Sequence, residues 1–279
     1  MILQLARLII RTDHFLHNNC MTEGVKERVA LAQHKRESHD ILSDHCDSMK
    51  RCRVSTLLSW LQRIADEEVA RLGLPTEEMM QQGMAWMLTT IDVELPANMP
   101  CYGDKITLES WHKGHKGVQW LRDFRIYGKQ GERMGQARSI WILVDLEKRR
   151  ILRPSALPRE IPADHEDSVG DAPQKVQIPE GIDLRPAYDY TVRQSSIDMN
   201  GHVNNAQFAS LGMDALSAEQ FARDMTHFRI TYHQEAMLGE TITILTGEDN
   251  EQRCWISSRT TDDRILFEAE LEFKAPAAR

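Results

Sequence analysis

Residues 103–106 read Gly-Asp-Lys-Ile, and residues 239–242 read Gly-Glu-Thr-Ile. Each tetrad opens a run rich in alternating apolar residues, Lys105–Trp111 in one case and Thr241–Thr246 in the other. A glycine–acid turn feeding a period-two run predicts a strand entered from a tight turn. Outward from both tetrads the same order of elements recurs. Before the first, His39–Cys46 reads as a short extended piece. Leu58, Leu61, Ala65, Val69 and Leu72 then recur at three- and four-residue steps, the stripe of an amphipathic helix. Ser55 or Thr56 stands where a first-turn cap belongs, and Gly73 where a left-handed helix end belongs. Strand-like runs follow at Trp86–Leu95, Lys105–Trp111, Val118–Tyr127 and Ala137–Val144. Around the second tetrad, Tyr188–Arg193 is extended and Ala206–Phe221 helical, with Phe208, Leu211, Ala215 and Leu216 on one side. Strands are expected near Phe228–His233, Thr241–Thr246, Cys254–Arg259 and Ile265–Phe273.

One strand, one long helix and a set of antiparallel strands, made twice, predicts an α+β protein of two sheets, each wrapping a helix. Pairing the sheets edge to edge leaves fewer exposed edges. Six of the ten prolines fall between Pro154 and Pro186, in a stretch without apolar periodicity that reads as a linker. The expected division is therefore an N-terminal extension over 1–37, either disordered or an over-extended start, a first repeat over 38–153, a linker over 154–183 and a second repeat over 184–275.

Composition narrows the function classes. The chain has 279 residues, 41% hydrophobic and 27% charged, which fits a soluble globular protein, and no apolar run approaches the length a membrane helix needs. The net charge of −8 disfavours nucleic acid as partner. Five cysteines without a Cys-x-x-Cys pair fit a reducing cytoplasm and argue against a disulfide framework or a zinc knuckle. His112 and His115 lie in a Lys/Gly turn and read as a solvated loop, not a metal site. No metal or organic cofactor is implied. Charge is uneven: within 113–153 there are 11 basic residues against four acids, a local +7 inside an acidic protein. That run suits solvated strand faces or docking of an acidic partner.

The densest chemistry is Asp198-Met199-Asn200-Gly201-His202-Val203-Asn204-Asn205, between the first strand and the helix of the second repeat. An extended backbone would point Asp198, Asn200 and His202 the same way. Asn204 or Asn205 can cap the helix that follows, whose free amides suit a developing oxyanion.

This segment resembles the catalytic segment of the plant-type acyl-acyl carrier protein thioesterases, which are double hot-dog proteins. Tyr232-His233-Gln234-Glu235-Ala236 is similar to that family's Tyr-Arg-Arg-Glu-Cys segment. Trp141 followed by Arg149-Arg150 and Pro154 is similar to the end of its first repeat. The resemblance covers about residues 38–274 and implies a tandem hot-dog fold with Asp198, Asn200, His202 and Glu235 as the catalytic group. It also implies hydrolysis of fatty acyl-acyl carrier protein to free acid and holo-carrier. Ala236 replaces the family's cysteine, so a thiol nucleophile is excluded there, which leaves an activated water or attack by a carboxylate; Glu235, with His202, is expected to act as general base on water. The first repeat would hold the acyl chain, with Trp60, Met84, Trp86 and Met87 as lining candidates. The acidic carrier, with its phosphopantetheine-linked chain, would dock on the basic run through Lys113, Lys116, Arg149 and Arg150. A monomer and a homodimer both fit two repeats. An acyl-CoA thioesterase, a non-hydrolytic acyl-binding module and a hydratase or dehydratase remain the alternatives.

Overall fold

The structure is a computed structural model and describes residues 34–95 and 98–274. The extension expected over 1–37 lies outside the described residues up to position 33. Lys35–Asp40, however, forms strand β1, paired with the strand that carries residues 105–110. Its outward side chains are polar, so apolar periodicity did not reveal it.

The first repeat continues with helix α1 (Val54–Arg71), a short helix α2 (Thr76–Gln81), and strands β2 (Met84–Glu94), β3 (Lys105–Lys116), β4 (Gln119–Tyr127), β5 (Arg133–Asp145) and the two-residue β6 (Arg150–Ile151). The second has β7 (Arg185–Thr191), α3 (Asn205–Asp214), α4 (Ala218–Phe221), β8 (Met225–Tyr232), β9 (Thr241–Glu248), β10 (Cys254–Thr260) and β11 (Ile265–Phe273). The strands form one antiparallel sheet in the order β1-β3-β4-β5-β2-β8-β11-β10-β9-β7, with β6 beside β5. Its left and right halves repeat one another, and β2 joins β8 at the middle, with Ile91 opposite Ile230. The edge-to-edge seam expected from the duplication is thus present.

The echoing tetrads do the same work. Gly103 and Gly239 have φ of +89° and +86°. Gly103 N–H donates to Ile41 O at 3.0 Å, and Gly239 N–H to Val192 O at 3.1 Å. In both turns the acid caps the backbone: Asp104 accepts from Cys101 N–H, and Glu240 from Met237 N–H, each at 2.8 Å. The helices lie on one face of the sheet. Leu57, Leu58, Leu61 and Ile64 of α1 and Phe208, Ala209 and Leu211 of α3 are buried in a single core.

Two helix expectations change. Arg53, not Ser55 or Thr56, precedes α1, and Ser55 lies inside it, accepting from Ser59 Oγ at 2.8 Å. The helix expected over Ala206–Phe221 breaks at Ala215–Ser217, because Ser217 and Gln220 cap each other and start α4 afresh.

The linker is anchored along its length. Asp167 accepts from the Trp111 indole through its carbonyl at 3.0 Å and pairs with Arg125. Val169 N–H reaches Asp123, and Val176 N–H reaches Thr231 Oγ1 at 2.9 Å. At the seam, Asp92 is buried and accepts from His227 Nε2 at 3.0 Å and Arg229 Nε at 2.9 Å, with Arg138 at 3.3 Å. No helix among the described residues is long and apolar enough to cross a membrane.

Candidate active site

Asp198–Asn205 is a tight turn, not the extended segment expected. Asp198 N–H donates to His202 O at 3.0 Å, and Gly201 N–H to Asp198 O at 3.1 Å. Gly201 takes a φ of +87°, which glycine adopts without strain. Asp198 Oδ1 accepts from Asn200 N–H at 2.8 Å, and its other oxygen faces Asn200 Nδ2 at 3.4 Å. Asp198 and Asn200 therefore hold the turn together. Among the described residues neither hydrogen-bonds to the His202 ring or to Glu235.

His202 does meet Glu235. Its Nε2 lies 3.4 Å from Glu235 Oε1, and the two side chains are 27% and 32% exposed, so solvent reaches both. The short bridge between His202 and Met237, with Val203 N–H donating to Ala236 O at 2.9 Å, fixes the segment after Glu235 against the turn. The second oxygen of Glu235 is taken by Arg149, whose guanidinium lies 3.2 Å from Oε2. Arg149 comes from the turn between β5 and β6 of the other repeat, in a left-handed backbone conformation with φ of +49°. Arg149, expected at a docking surface, is exposed and also reaches the candidate base, a contact that distance along the chain could not show.

The expected oxyanion site is smaller than the bare helix end suggested. Asn204 caps α3 through its side chain, accepting from Ala206 N–H at 2.9 Å, and its carbonyl accepts from Gln207 N–H at 2.9 Å. That leaves the Asn205 amide as the first-turn N–H without such a partner among the described residues. The Asn205 side chain reaches Gln62 of α1 at 3.3 Å, tying the site to the first repeat.

The matching turn of the first repeat is the same device with different chemistry. Asp47 accepts from Met49 and Arg51 N–H, and Lys50 takes a φ of +63° where Gly201 stands. Arg51 bridges to Cys101 as His202 bridges to Met237. Arg51 thus occupies the histidine position, and Met99, two residues before Cys101, the Glu235 position. The Arg51 guanidinium is spent on Asp47 and on the carbonyls of Phe221 and Arg223. Of the two matching turns, only that of the second repeat brings acid and imidazole together.

Among the described residues, no thiol stands in for them at this turn. Ala236 is fully buried, and burial, with Glu248 nearby, pushes the Cys254 thiol up to about 12. Without a thiol, an activated water or the carboxylate itself is the nucleophile left at this position. No group of three or more His, Cys, Asp or Glu able to hold a metal occurs among the described residues.

The remaining candidates divide. Trp86 lines a cavity of about 30 Å³ between α1 and the first-repeat strands. Trp60 does not line it: it is buried against β1, stacked on His39 at 4.2 Å. Met84 is half-buried at the start of β2, and Met87 is exposed. Of the docking candidates, Lys113 is tied to Asp123 at 3.2 Å and to Gly170 O at 2.8 Å, so it is not a free cation. Arg122, Arg125 and Arg138 of the same run are paired with carboxylates. Lys116, Arg149 and Arg150 are exposed. His112, expected in a solvated loop, is buried on β3.

Comparison with known proteins agrees with this layout. Residues 32–163 match the acyl-ACP thioesterase N-terminal domain and residues 182–274 the acyl-ACP thioesterase C-terminal domain. The chloroplastic palmitoyl-acyl carrier protein thioesterase of Arabidopsis thaliana is 25% identical over 238 residues, covering 77% of this chain and 56% of that protein. The chloroplastic oleoyl-acyl carrier protein thioesterase 1 of the same plant is 22% identical over 240 residues, covering 77% and 64%. The chain spans about half the length of curated relatives it matches. Among solved structures, an acyl-ACP thioesterase from Bacteroides thetaiotaomicron superposes with a TM-score of 0.73 at 20% identity, covering 88% of this chain and 99% of that one. The 12:0-ACP thioesterase from Umbellularia californica superposes with a TM-score of 0.69 at 18% identity, covering 86% and 96%. These likenesses establish the tandem hot-dog fold.

Proposed function

This chain belongs to the acyl-ACP thioesterase family, and we propose that it hydrolyses fatty acyl thioesters of acyl carrier protein, releasing the free acid and the holo-carrier. The observation that carries this is Glu235, held between His202 and Arg149 in a solvent-reached crevice. Arg149 fixes one carboxylate oxygen. The other, with the His202 ring, takes the proton of a water that attacks the thioester carbon. The C–S bond then breaks, and the pantetheine thiolate leaves and is protonated. The Asn205 amide stands ready to bind the carbonyl oxygen as charge develops on it. General-base help of this kind is worth about 10²–10⁴-fold.

Asp198 and Asn200 act by positioning: they lock the turn that presents His202. Carrier docking falls to the rim of exposed cations, Arg149, Arg150 and Lys116, which suits an acidic partner. Four described cysteines carry free thiols, which supports action in a reducing compartment such as the cytoplasm.

Hydrolysis of acyl carrier protein and CoA thioesters, followed by thiol release, tests the proposal. Faster turnover of the carrier thioesters is expected. Selective turnover of CoA thioesters would reassign the substrate, and release of an unsaturated or hydroxylated acyl thioester in place of free acid would reassign the reaction.

A further inference from the structure

The first-repeat cavity of about 30 Å³ lies close to the candidate site. Asn205 touches Gln62, and Ala65, about one turn further along α1, lines the cavity. On the sheet side, Arg149 stands in the turn after Asp145, which pairs with Met84. Trp86, two residues or roughly 7 Å into β2, is a cavity wall.

Asp66, His112 and Arg122 make the wall polar, Arg122 being paired with Glu68. Three tryptophans line the cavity. Trp141 gives its N–H to Ser139 Oγ at 2.8 Å. The Nε1 atoms of Trp86 and Trp120 are buried and have no hydrogen-bond partner. Trp120 is 6% exposed. The two rings meet edge to face at 5.1 Å, which engages at most one of their N–H groups with the other's π face. An unpaired buried N–H costs about 1–3 kcal/mol, so such groups ordinarily find a partner. Beside them, His112 Nδ1 donates to Leu121 O at 3.1 Å, so its Nε2 carries the lone pair. Burial, with Arg122 nearby, pushes the His112 pKa down to about 3, so the ring is neutral and Nε2 accepts. The side chains that carry this donor and acceptor thus line a pocket whose room of about 30 Å³ exceeds the roughly 10–15 Å³ that a single water requires.

We propose that this cavity receives a hydroxyl group on the substrate's acyl chain, accepting from the Trp120 or Trp86 N–H and donating to His112 Nε2. The preferred substrate class is then hydroxyacyl, not plain alkanoyl, thioesters. This rests on the thioesterase function proposed above. A plain chain passing the cavity leaves the tryptophan donor unpaired, and a site built to bind a hydroxyl discriminates against its absence.

The test is a panel of carrier thioesters of equal chain length, alkanoyl or bearing the hydroxyl at successive carbons, assayed by thiol release. At one hydroxyl position kcat/KM is expected to exceed the alkanoyl value by about tenfold. Trp120→Phe together with Trp86→Phe, which removes the donors and keeps aromatic walls, is expected to bring that ratio close to one. The ratio is read within each protein, so a general loss of activity cancels. Alkanoyl and hydroxyacyl thioesters turned over equally at every position, or a preference that survives the double substitution, would overturn the inference and leave the thioesterase standing. Hydrolysis of neither class removes both.

Discussion

Replacing Asp92 by Asn keeps the shape of the side chain and removes the one anion that three cations at the seam share. Asp92 is 1% exposed and lies 3.0 Å from His227, 2.9 Å from Arg229 and 3.3 Å from Arg138. Removing one partner of a buried pair costs about 3–5 kcal/mol. The arginine side chains are 17% and 24% exposed and can partly rehydrate, which favours the lower end, about 3 kcal/mol. For a chain of this size that lowers Tm by about 6–12 °C. The loss depends on pH in a definite sense. Burial pulls His227 toward its neutral form, but the Asp92 hydrogen bond and charge prevail and raise its pKa above the ordinary 6.5. A raised folded pKa stabilises fully below the unfolded value, and that stabilisation is lost as pH climbs through the folded value. Asp92 has the opposite sign. Burial opposes its charge, but the His227 bond and the flanking arginines outweigh it and hold the pKa at about 2 against an ordinary 3.8. Its contribution is present above 3.8 and fades as pH falls toward 2. The gap in stability between the native chain and Asp92→Asn, measured by denaturant unfolding, is therefore widest from about pH 4 to 6.5 and narrows above it as His227 deprotonates. An unchanged midpoint at pH 6, or a gap that widens above neutrality, would refute the assignment of this cluster.

Gly201→Ala puts a side chain at a φ of +87° and is expected to cost about 1–2 kcal/mol while moving His202; kcat should fall with little change in KM. Glu68→Ala strands the buried Arg122 guanidinium and should lower stability by about 3–5 kcal/mol in urea unfolding. Reversing charge with Arg150→Glu, away from the Glu235 contact, should raise KM for carrier thioesters at low salt, with the difference closing as salt screens it; a salt-independent KM would exclude Arg150 from docking.

What was legible in the sequence is what depends on local pattern. The glycine–acid tetrads and helix stripes gave the duplication, and the excess of open edges gave the seam between β2 and β8. The break after Asp214 was also written locally, in Ser217 and Gln220, but the apolar residues running through it masked the capping pair. Strand β1 was hidden because Lys35–Asp40 holds no apolar residue on either face. The basic run over 113–153 misled for a different reason: composition counts charges and cannot show that Arg122, Arg125 and Arg138 already face carboxylates from distant elements. Trp60 and Trp86 look alike in sequence, yet one packs on His39 and the other walls a cavity, a difference set by tertiary packing alone. At the candidate site, His202 stands in a dense local motif, whereas Glu235 is expected only through the family resemblance, since a strand carboxylate carries no local mark of its own. Arg149 reaches them from the other repeat, and nothing in its own neighbourhood marks it.

That Glu235 and His202 act as one base is the heart of the proposed reaction. It is tested most directly by thiol release from an acyl-acyl carrier protein substrate in a double-mutant cycle of Glu235→Gln, His202→Ala and both, each shown to be folded. Groups working as a unit are strongly non-additive, so each single substitution should lower kcat by about 10²–10⁴-fold and the double should be little worse than the weaker single. Losses that multiply, or a Glu235→Gln protein that turns over at the native rate, would contradict it.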